Sequence, residues 1–349
     1  MKKKIDIRQL SLDNLTDEIV KLGEKPYRAK QIHDWLWKKR AINFDQMTNL
    51  SKSLRKLVKD NFIINALVLS EAQVSKDRTI KNAFLLADDA VIEGVLIPTK
   101  KRMTACVSVQ VGCSLDCVFC ATGRLKRIRN LNADEIYDQV VMINDQAKKE
   151  YKLPISNIVY MGMGEPLLNY SNVLKSVERI TSENGLGMSP KRITISTAGI
   201  HKKIIRLADD GVKFNLALSL HAANDEKRNK IMPINESNSL EALKDAMIYF
   251  SEKTETRPTL EYIIFKDFND EILDAEELVQ FVKSFPSKVN IIEYNSIDDG
   301  KYQQADPIKV DAFADYLESK NVIVNIRRSR GKDIDAACGQ LANKNELAN

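Results

Sequence analysis

The stretch Cys113-Ser114-Leu115-Asp116-Cys117-Val118-Phe119-Cys120 holds three of the five cysteines of this 349-residue chain, at C-x3-C-x2-C spacing. Thiolates this close can point at one centre when a cation holds them, and zinc or an iron–sulfur cluster would do so. Structural zinc takes four ligands, and no fourth cysteine or histidine lies nearby in sequence. A cluster held by three thiolates keeps one iron open for a substrate. The spacing therefore favours a catalytic cluster, with an incomplete zinc knuckle or three unrelated cysteines as the alternatives.

The sequence after this stretch alternates between helical and strand-like patterns. The predicted helices are 134–150, 171–183, 201–210, 239–253, 271–284 and 309–320, and the predicted strands are 157–161, 192–196, 214–220, 259–265, 289–293 and 322–326. Repeated βα units predict a parallel sheet with helices outside it. Six units are too few for a closed eightfold barrel, so we expect an α/β fold built on a partial, open (β/α)6 barrel.

The sequence before the stretch divides into two further units. Residues 1–62 have helical periodicity. Residues 63–102 have short alternating runs that predict a small antiparallel sheet extension, and a further alternating run at 105–111 predicts one more strand of this sheet. Residues 103–326 would form the barrel and 327–349 a C-terminal segment. Basic residues and aromatics occur together in the helical module, as suits contact with a nucleic acid backbone. A solvated cationic face over a core containing Trp35 and Trp37 fits the same pattern, and the sequence leaves both interpretations open.

Composition limits the class of protein. The chain is 44% hydrophobic, so it can bury a large core in two or three units. It contains no run of eighteen apolar residues, so we expect no membrane span and a cytoplasmic location. Cysteines in that compartment serve as ligands or reactive groups more often than as disulfides. A net charge of +5 permits an RNA partner. Nothing in the pattern demands more than a monomer.

Four predicted strands end in polar or small residues. The four segments are Met161-Gly162-Met163-Gly164-Glu165-Pro166, Ser196-Thr197-Ala198-Gly199, Ser219-Leu220-His221 and Glu293-Tyr294-Asn295. Ligands of parallel α/β sheets bind beyond the carboxyl ends of the strands. Glu165 offers an acceptor for an ammonium group, and its glycine neighbours let the backbone approach a ligand. We expect a binding ring here, although a serine or asparagine at a strand end is also a common helix cap.

These segments together resemble a known family. The cysteine loop with Ala121-Thr122-Gly123 behind it resembles the radical S-adenosylmethionine (radical SAM) superfamily. With the four strand ends, Met232-Pro233-Ile234-Asn235 and the segment 335–341 added, the chain resembles the RlmN/Cfr family of radical SAM RNA adenine methyltransferases, more closely its RlmN branch. The resemblance implies methylation of C2 of an adenine in 23S rRNA and in tRNA. Cfr-like methylation of C8, and a non-catalytic iron–sulfur RNA-binding regulator, are the alternatives.

The resemblance also implies cofactors and site residues. Cys113, Cys117 and Cys120 would hold a [4Fe-4S] cluster whose open iron binds SAM, two molecules of which are used per turnover. An external donor such as flavodoxin or ferredoxin would reduce the cluster, which then cleaves SAM to a 5'-deoxyadenosyl radical. The residues implied for the SAM pocket are Gly164, Glu165, Ser196, Ser219, Leu220, His221 and Asn295.

The two remaining cysteines have implied roles of their own. Cys338 would be methylated by one SAM, and the methyl, once converted to a radical, would add to the adenine and leave an RNA–protein crosslink. Cys106 would resolve that crosslink and end in a transient disulfide with Cys338. Glu93 would accept the proton from the substituted carbon. The alternatives are that Cys106 is a small buried hydrophobe and Glu93 a solvated strand residue.

The chain around Cys338 is cationic. The segment Arg327-Arg328-Ser329-Arg330-Gly331-Lys332-Asp333 precedes it, and we expect this segment to be mobile and to lower the pKa of the Cys338 thiol. Two other basic runs, 100–102 and 124–129, flank the cysteine loop. Together they suggest RNA lying over the mouth of the barrel with the target adenine turned into it.

Overall fold

The computed structural model describes residues 4–298 and 300–344. The N-terminal part is a small helical module whose two ends pair as parallel strands. Its elements are β1 (Ile5–Asp6), α1 (Leu12–Lys21), α2 (Tyr27–Trp37), α3 (Lys52–Asn61) and β2 (Phe62–Ile63). Ser11 and Ser51 begin α1 and α3 by accepting hydrogen bonds from amides in the first turn of each helix.

Ten of the other strands form one continuous mixed sheet. The strands that follow the module are β3 (Val68–Val74), β4 (Ile80–Leu85), β5 (Val91–Pro98), β6 (Met103–Cys106), β7 (Gln110–Val111), β8 (Arg129–Asn130), β9 (Asn157–Tyr160), β10 (Ile193–Thr197), β11 (Asn215–Ser219), β12 (Thr259–Ile264), β13 (Lys288–Glu293) and β14 (Val324–Arg327). The sheet order is β14-β13-β12-β11-β10-β9-β6-β5-β4-β3, with β7 and β8 paired separately. Strands β6 and β9 to β14 are parallel, and β3 to β5 continue the sheet in antiparallel fashion.

Helices connect the parallel strands, and all of them except the short helix 225–231 pack into the main apolar core; Ile231 of that helix belongs to a second apolar cluster. They are α4 (Ala133–Tyr151), α5 (Tyr170–Thr181), α6 (His201–Asp209), α7 (Asp225–Ile231), α8 (Leu240–Thr254), α9 (Ile272–Val282) and α10 (Pro307–Ser319). Short 3₁₀ helices occupy Ile7–Gln9, Phe44–Gln46, Ala121–Arg124, Pro166–Asn169, Pro190–Arg192, Pro233–Ser237 and Lys332–Ile334. No helix in the described part of the chain is both long and apolar enough to span a membrane.

The predicted fold class is confirmed, and two details were wrong. Each predicted helix and strand of the barrel is present within two residues of its expected bounds, but helix α7 was missed. The run 105–111, expected as one antiparallel strand, is split. Its first half lies in β6, which is antiparallel to β5 and parallel to β9, so this strand joins the extension to the barrel. The domain boundaries at residues 62, 102 and 326 stay predictions.

Candidate functional site

The cysteine loop is fixed by backbone hydrogen bonds on both sides. The amide of Cys113 donates to the Leu125 carbonyl at 3.1 Å, and the amide of Val118 donates to the Ile231 carbonyl at 3.1 Å. The three cysteines border a second apolar cluster, separate from the main core, that contains Phe119. The phenyl ring of Phe119 packs edge-on against the His221 imidazole, with 4.9 Å between ring centroids. The loop is therefore held at the ends of the barrel strands.

The donor set of this loop fits an iron–sulfur cluster. Burial raises the pKa of the Cys113 thiol to about 11 and that of Cys117 well above its usual value, and the neighbouring cysteines raise both further. Thiolates in such surroundings need a cation to offset their charge. Across residues 4–298 and 300–344, no three His, Cys, Asp or Glu side chains lie close enough to share one metal ion. Structural zinc takes four protein ligands, whereas a four-iron cluster can be held by three thiolates, so a set of three cysteines suits the cluster better.

Glu165 lies next to the loop and joins two strand ends. Its side chain is buried, and its Oε1 accepts hydrogen bonds from the Thr197 hydroxyl at 2.7 Å and the Leu167 amide at 2.9 Å. Its Oε2 accepts from the Ala198 amide at 2.8 Å. Burial raises the pKa of this carboxyl, and the three hydrogen bonds oppose that rise. One lone pair of Oε2 thus stays available to a ligand.

Gly164, the residue before Glu165, turns the chain with φ +93°. A Cβ at this position would lie 2.4 Å from the Cβ of Gln110, so only glycine fits. The Gln110 side-chain oxygen in turn accepts the Glu165 amide at 2.9 Å. The close approach of this turn to Gln110 therefore holds the Gly-Glu pair at the strand end.

The next two strand ends bring Ser196, Ser219, Leu220 and His221 together. The hydroxyls of Ser196 and Ser219 lie 3.2 Å apart. Leu220 is fully buried, and His221 has a left-handed backbone at φ +58°. The His221 Nδ1 accepts the Ile263 amide at 3.1 Å, so the ring carries its proton on Nε2. Burial, with a smaller contribution from Arg228, lowers the pKa of this imidazole to about 3.

Asn295 connects the barrel to the C-terminal segment. Its Nδ2 donates to the Cys338 carbonyl at 3.2 Å, whereas its buried Oδ1 has no hydrogen-bond partner. A buried acceptor without a donor is costly, and it suits a site that a polar ligand completes. This unpaired oxygen, with the free lone pair on Glu165, fits SAM as a ligand of these strand ends.

The chain that follows Cys338 is docked against the cysteine loop. The Gly339 carbonyl accepts the Ala121 amide at 2.7 Å, and the Leu341 carbonyl accepts the Thr122 hydroxyl at 2.6 Å. Gly339 has φ +82°, and a Cβ there would lie 3.2 Å from the Phe119 carbonyl oxygen. These contacts place the chain that follows Cys338 against the loop, and the expected mobility of residues 327–333 stays a prediction.

The two cysteines outside the loop, Cys106 and Cys338, lie near each other and near the loop. The Cys338 thiol is open to solvent but sits in a concave part of the protein, and the dense surroundings raise its pKa to about 11, with Cys120 adding to the rise. Burial raises the pKa of the Cys106 thiol to about 12, and the charge of Cys338 adds to it. The positive charge of Arg327 lowers the pKa of both thiols, but by less than burial raises it. The predicted lowering of the Cys338 pKa was wrong because desolvation exceeds the attraction of the basic neighbours.

All five cysteines are free thiols, so the structure contains no disulfide between Cys106 and Cys338.

Glu93 is fully buried in β5 beneath the end of the C-terminal segment. Its Oε2 accepts the amides of Ala342 and Asn343 at 2.9 and 3.1 Å. Its Oε1 lies 3.6 Å from the Lys81 ammonium. The alternative of a solvated strand residue is wrong for Glu93. The structure thus brings Cys106, Cys338 and Glu93 into one region around the C-terminal segment.

Arg228 was not predicted from the sequence. This guanidinium in α7 is fully buried and donates to the carbonyls of Leu220 at 3.0 Å and Ala198 at 2.6 Å, which follow strands β11 and β10. Asn235 accepts from it at 2.5 Å. Burial lowers the pKa of Arg228 to about 10, and the nearby Cys117 opposes the shift. A buried cation joining two strand ends beside the loop is part of the site, and the Asn235 in Met232-Pro233-Ile234-Asn235 is the only sequence sign of it.

Many of the basic residues expected to attract RNA are paired within the protein. Arg328 and Lys332 both contact the Glu293 carboxylate, the latter at 3.2 Å. Arg129 contacts Glu135 at 2.8 Å. The run 100–102 and residues 124, 126 and 127 are exposed and keep their charges at the surface.

Two parts of the chain match known sequence families. Residues 5–64 match the family described as ribosomal RNA large subunit methyltransferase N-terminal domain, and residues 107–282 match the radical SAM superfamily. A protein of Christiangramia forsetii named probable dual-specificity RNA methyltransferase RlmN is 57% identical over 98% of this chain and 97% of its own length. A protein of Cytophaga hutchinsonii with the same name is 56% identical over 98% of this chain and 94% of its own.

A solved structure agrees with these matches. The crystal structure of a radical SAM methyltransferase from Sphaerobacter thermophilus superimposes with a TM-score of 0.90 at 36% identity. The alignment covers 97% of this chain and 99% of that one. The two proteins therefore share the partial barrel, the extension and the helical module in the same arrangement.

Proposed function

This chain belongs to the RlmN family of radical SAM RNA methyltransferases, and from that membership we propose that it methylates C2 of an adenine in 23S rRNA and in tRNA. The observation that best supports the proposal is the hydrogen bond between the Ala121 amide and the Gly339 carbonyl. It holds the Cys338 thiol beside the cysteine loop, as a thiol that carries a methyl group to RNA requires. An electron-poor ring carbon is no nucleophile, so direct transfer from a sulfonium would fail there.

Cys113, Cys117 and Cys120 would hold a [4Fe-4S] cluster, and Gly164, Glu165, Ser196, Ser219, Leu220, His221 and Asn295 would form the SAM pocket. The bound cluster and SAM would supply a 5'-deoxyadenosyl radical and take back one electron from the adduct. Two SAM molecules are used per turnover, one for the methyl and one for the radical. Glu165 and Asn295 orient the amino acid part of SAM through their free acceptor positions.

Cys338 carries the methyl in two stages. Its thiolate first takes a methyl from SAM and becomes a thioether. The 5'-deoxyadenosyl radical would take one hydrogen atom from this methyl group and leave a radical on the carbon attached to sulfur. That carbon adds to C2 of the adenine and joins RNA to protein through a new carbon–carbon bond. Arg327 offsets the negative charge of the thiolate before the first stage, since it opposes the rise in its pKa.

Cys106 and Glu93 resolve the crosslink. Glu93 takes the proton from C2, and the electron pair of that C–H bond returns to the purine ring. The Cys106 thiolate then attacks the sulfur of Cys338, and the carbon–sulfur bond breaks with its electron pair on the methylene carbon. That carbon takes a proton and becomes the methyl group, while the two cysteines end as a transient disulfide.

The partners follow from this chemistry. An external one-electron donor such as flavodoxin or ferredoxin would reduce the cluster, and the monomer would act in the cytoplasm. A cavity of about 370 Å³ beside the loop supports access for an acidic donor, because Cys117 lines it together with Arg124, Lys230 and Lys301.

The test uses anaerobically reconstituted protein with a reductant, SAM and either tRNA or 23S rRNA. We expect C2-methyladenine by mass spectrometry of digested RNA, and C8-methyladenine would show that the Cfr-like alternative is correct. The C338A variant should lose the product and keep the absorbance of the cluster. Methylation by C338A would remove the thiol from the mechanism. The C106A variant should accumulate covalent RNA adduct, and a clean absence of adduct would remove Cys106 from the resolving step.

A further inference from the structure

Lys81 and Glu93 form a buried ion pair inside the antiparallel extension. Their side chains are 6% and 1% exposed, and Lys81 Nζ lies 3.6 Å from Glu93 Oε1. Lysine is rarely buried to this degree without a charged partner. Removing either charge would leave the other buried and uncompensated, so the two residues depend on each other.

The two carboxylate oxygens of Glu93 differ in their hydrogen bonding. Oε2 accepts two backbone amides, from Ala342 and Asn343. Oε1 has no hydrogen-bond partner, since 3.6 Å to the ammonium is beyond hydrogen-bond range. At that distance the positive charge still attracts the carboxylate strongly, because both groups are out of water. The pair thus leaves one carboxylate oxygen with its lone pairs free of hydrogen bonds.

The strand register puts this pair on the same sheet face as Cys106. Cys106 lies opposite Val95, and Val95 lies opposite Lys81, so the three side chains form one row. Glu93 is two residues from Val95 along β5 and therefore points to the same side. The other side of the sheet packs on α4, through the Asn82 and Gln146 side chains at 3.0 Å. Lys81 and Glu93 therefore face the region where the C-terminal segment lies.

We propose that Lys81 is a positioning residue for proton removal by Glu93. Its ammonium offsets the negative charge of the buried carboxylate at 3.6 Å and leaves Oε1 without a hydrogen-bond donor, free to take the proton from the substituted adenine carbon, with the C–H electron pair returning to the purine ring. This inference rests on the proposed function, because it assigns Lys81 a part in the step given to Glu93. Lys81 acts through Glu93 and does not touch the RNA.

The test compares four variants of the full-length, reconstituted enzyme. K81M and K81Q remove the charge, K81R keeps it, and K76M removes an exposed lysine from the turn between β3 and β4 as the matched control. Two quantities are measured with SAM, reductant and RNA: methylation of Cys338 by protein mass spectrometry, and the covalent RNA adduct on denaturing gels. A residue with only a structural role would not separate these two readouts.

We expect K81M and K81Q to methylate Cys338 normally and to accumulate adduct at least about tenfold above wild type, as E93Q should. K81R and K76M should resolve the adduct at the wild-type rate. Adduct resolution at the wild-type rate by K81M or K81Q would overturn the inference. So would joint loss of Cys338 methylation and product in both, since Lys81 would then serve folding alone. If the wild-type protein itself forms neither adduct nor C2-methyladenine, the proposed function fails instead.

Discussion

The amide of Ala121 donates a hydrogen bond of 2.7 Å to the carbonyl of Gly339, across 218 residues of sequence. Each of these residues directly follows a cysteine, Cys120 in the loop and Cys338 in the C-terminal segment. A backbone bond between them therefore fixes the relative positions of a proposed cluster ligand and the proposed methyl carrier. Because the bond uses main-chain atoms, backbone geometry rather than side-chain identity sets this relationship.

The first prediction concerns G339A. At φ +82° an alanine costs about 1–2 kcal/mol, and its Cβ would press on the Phe119 carbonyl oxygen at 3.2 Å. We expect the segment to shift and the rate of Cys338 methylation to fall about 10- to 100-fold, as misplacement of a reacting group by an ångström does. Mass spectrometry of the protein after incubation with SAM measures the rate.

The control for this prediction is G211A. Gly211 also has positive φ, at +61°, but no atom lies within 4 Å of the position its Cβ would take. The two variants therefore share the backbone strain and differ in the contact with the loop. Equal methylation rates in the two variants would show that the position of Gly339 against the loop does not matter.

Local patterns were sufficient to predict which residues lie together in part of the candidate site. The cysteines of the loop, Gly164-Glu165 and Ser219-Leu220-His221 each lie within a few residues of sequence, and the strand ends that hold them follow from the βα alternation. Arg228 and Lys81 could not be predicted in this way. Their burial depends on contacts with residues on other elements, and an arginine or lysine in an amphipathic pattern normally indicates a solvated face.

The second prediction concerns the attachment of the helical module. Arg8 is buried and contacts Asp138 of α4 at 2.7 Å, with side-chain exposures of 5% and 20%. Removing one partner of a buried pair costs about 3–5 kcal/mol, so R8M should lower the free energy of unfolding by that amount. Arg40 contacts Asp145, also in α4, but the two side chains are 39% and 51% exposed. R40M should cost about 0–1 kcal/mol. Urea unfolding measures the free energy of unfolding of both variants. Similar losses in the two would show that Arg8 does not attach the helical module to α4.

The third prediction concerns His221 and pH. Its folded pKa of about 3 lies below the usual 6.5, so the unfolded chain binds the proton first as pH falls. Stability from the neutral imidazole is therefore complete above about pH 6.5 and is lost toward pH 3, by up to about 1.4 kcal/mol per pH unit. H221N keeps an acceptor for the Ile263 amide and lacks this titration. We expect a smaller loss of unfolding free energy in H221N than in wild type between pH 6.5 and 5.

The comparison of wild type with H221N also removes the effect of Asp134, which opposes that of His221. Burial raises the pKa of Asp134 to about 7, which makes the folded state bind the proton more readily and stabilises it as pH falls from 7 toward 3.8. Asp134 is present in both proteins, so its effect cancels in the difference between them. Identical pH dependence of unfolding for wild type and H221N would show that the imidazole is not held neutral.

The error over Cys338 shows what sequence leaves undetermined. Basic residues before it predicted a lowered pKa for its thiol, yet two of them, Arg328 and Lys332, turn to Glu293 instead. The concave surroundings of the thiol come from the cysteine loop and the barrel, which are distant in sequence. Desolvation is a property of the assembled fold, so the direction of a pKa shift can reverse even when the charged neighbours are known.

The last prediction addresses the two interpretations of the helical module. Trp37 is buried, as the core interpretation requires, whereas Trp35 is partly exposed with Lys39 Nζ 3.8 Å from its ring centroid. A cleft of about 360 Å³ along α3 is lined by Lys52, Lys56 and other basic residues. If RNA contacts this face, K52Q/K56Q should weaken tRNA binding and reduce the slope of log affinity against log salt by about 0.7–0.9 per lost contact. K148Q/K149Q, at the exposed end of α4, is the control. An unchanged slope in K52Q/K56Q would favour a solvated face, because only a charge neutralised by phosphate releases counterions.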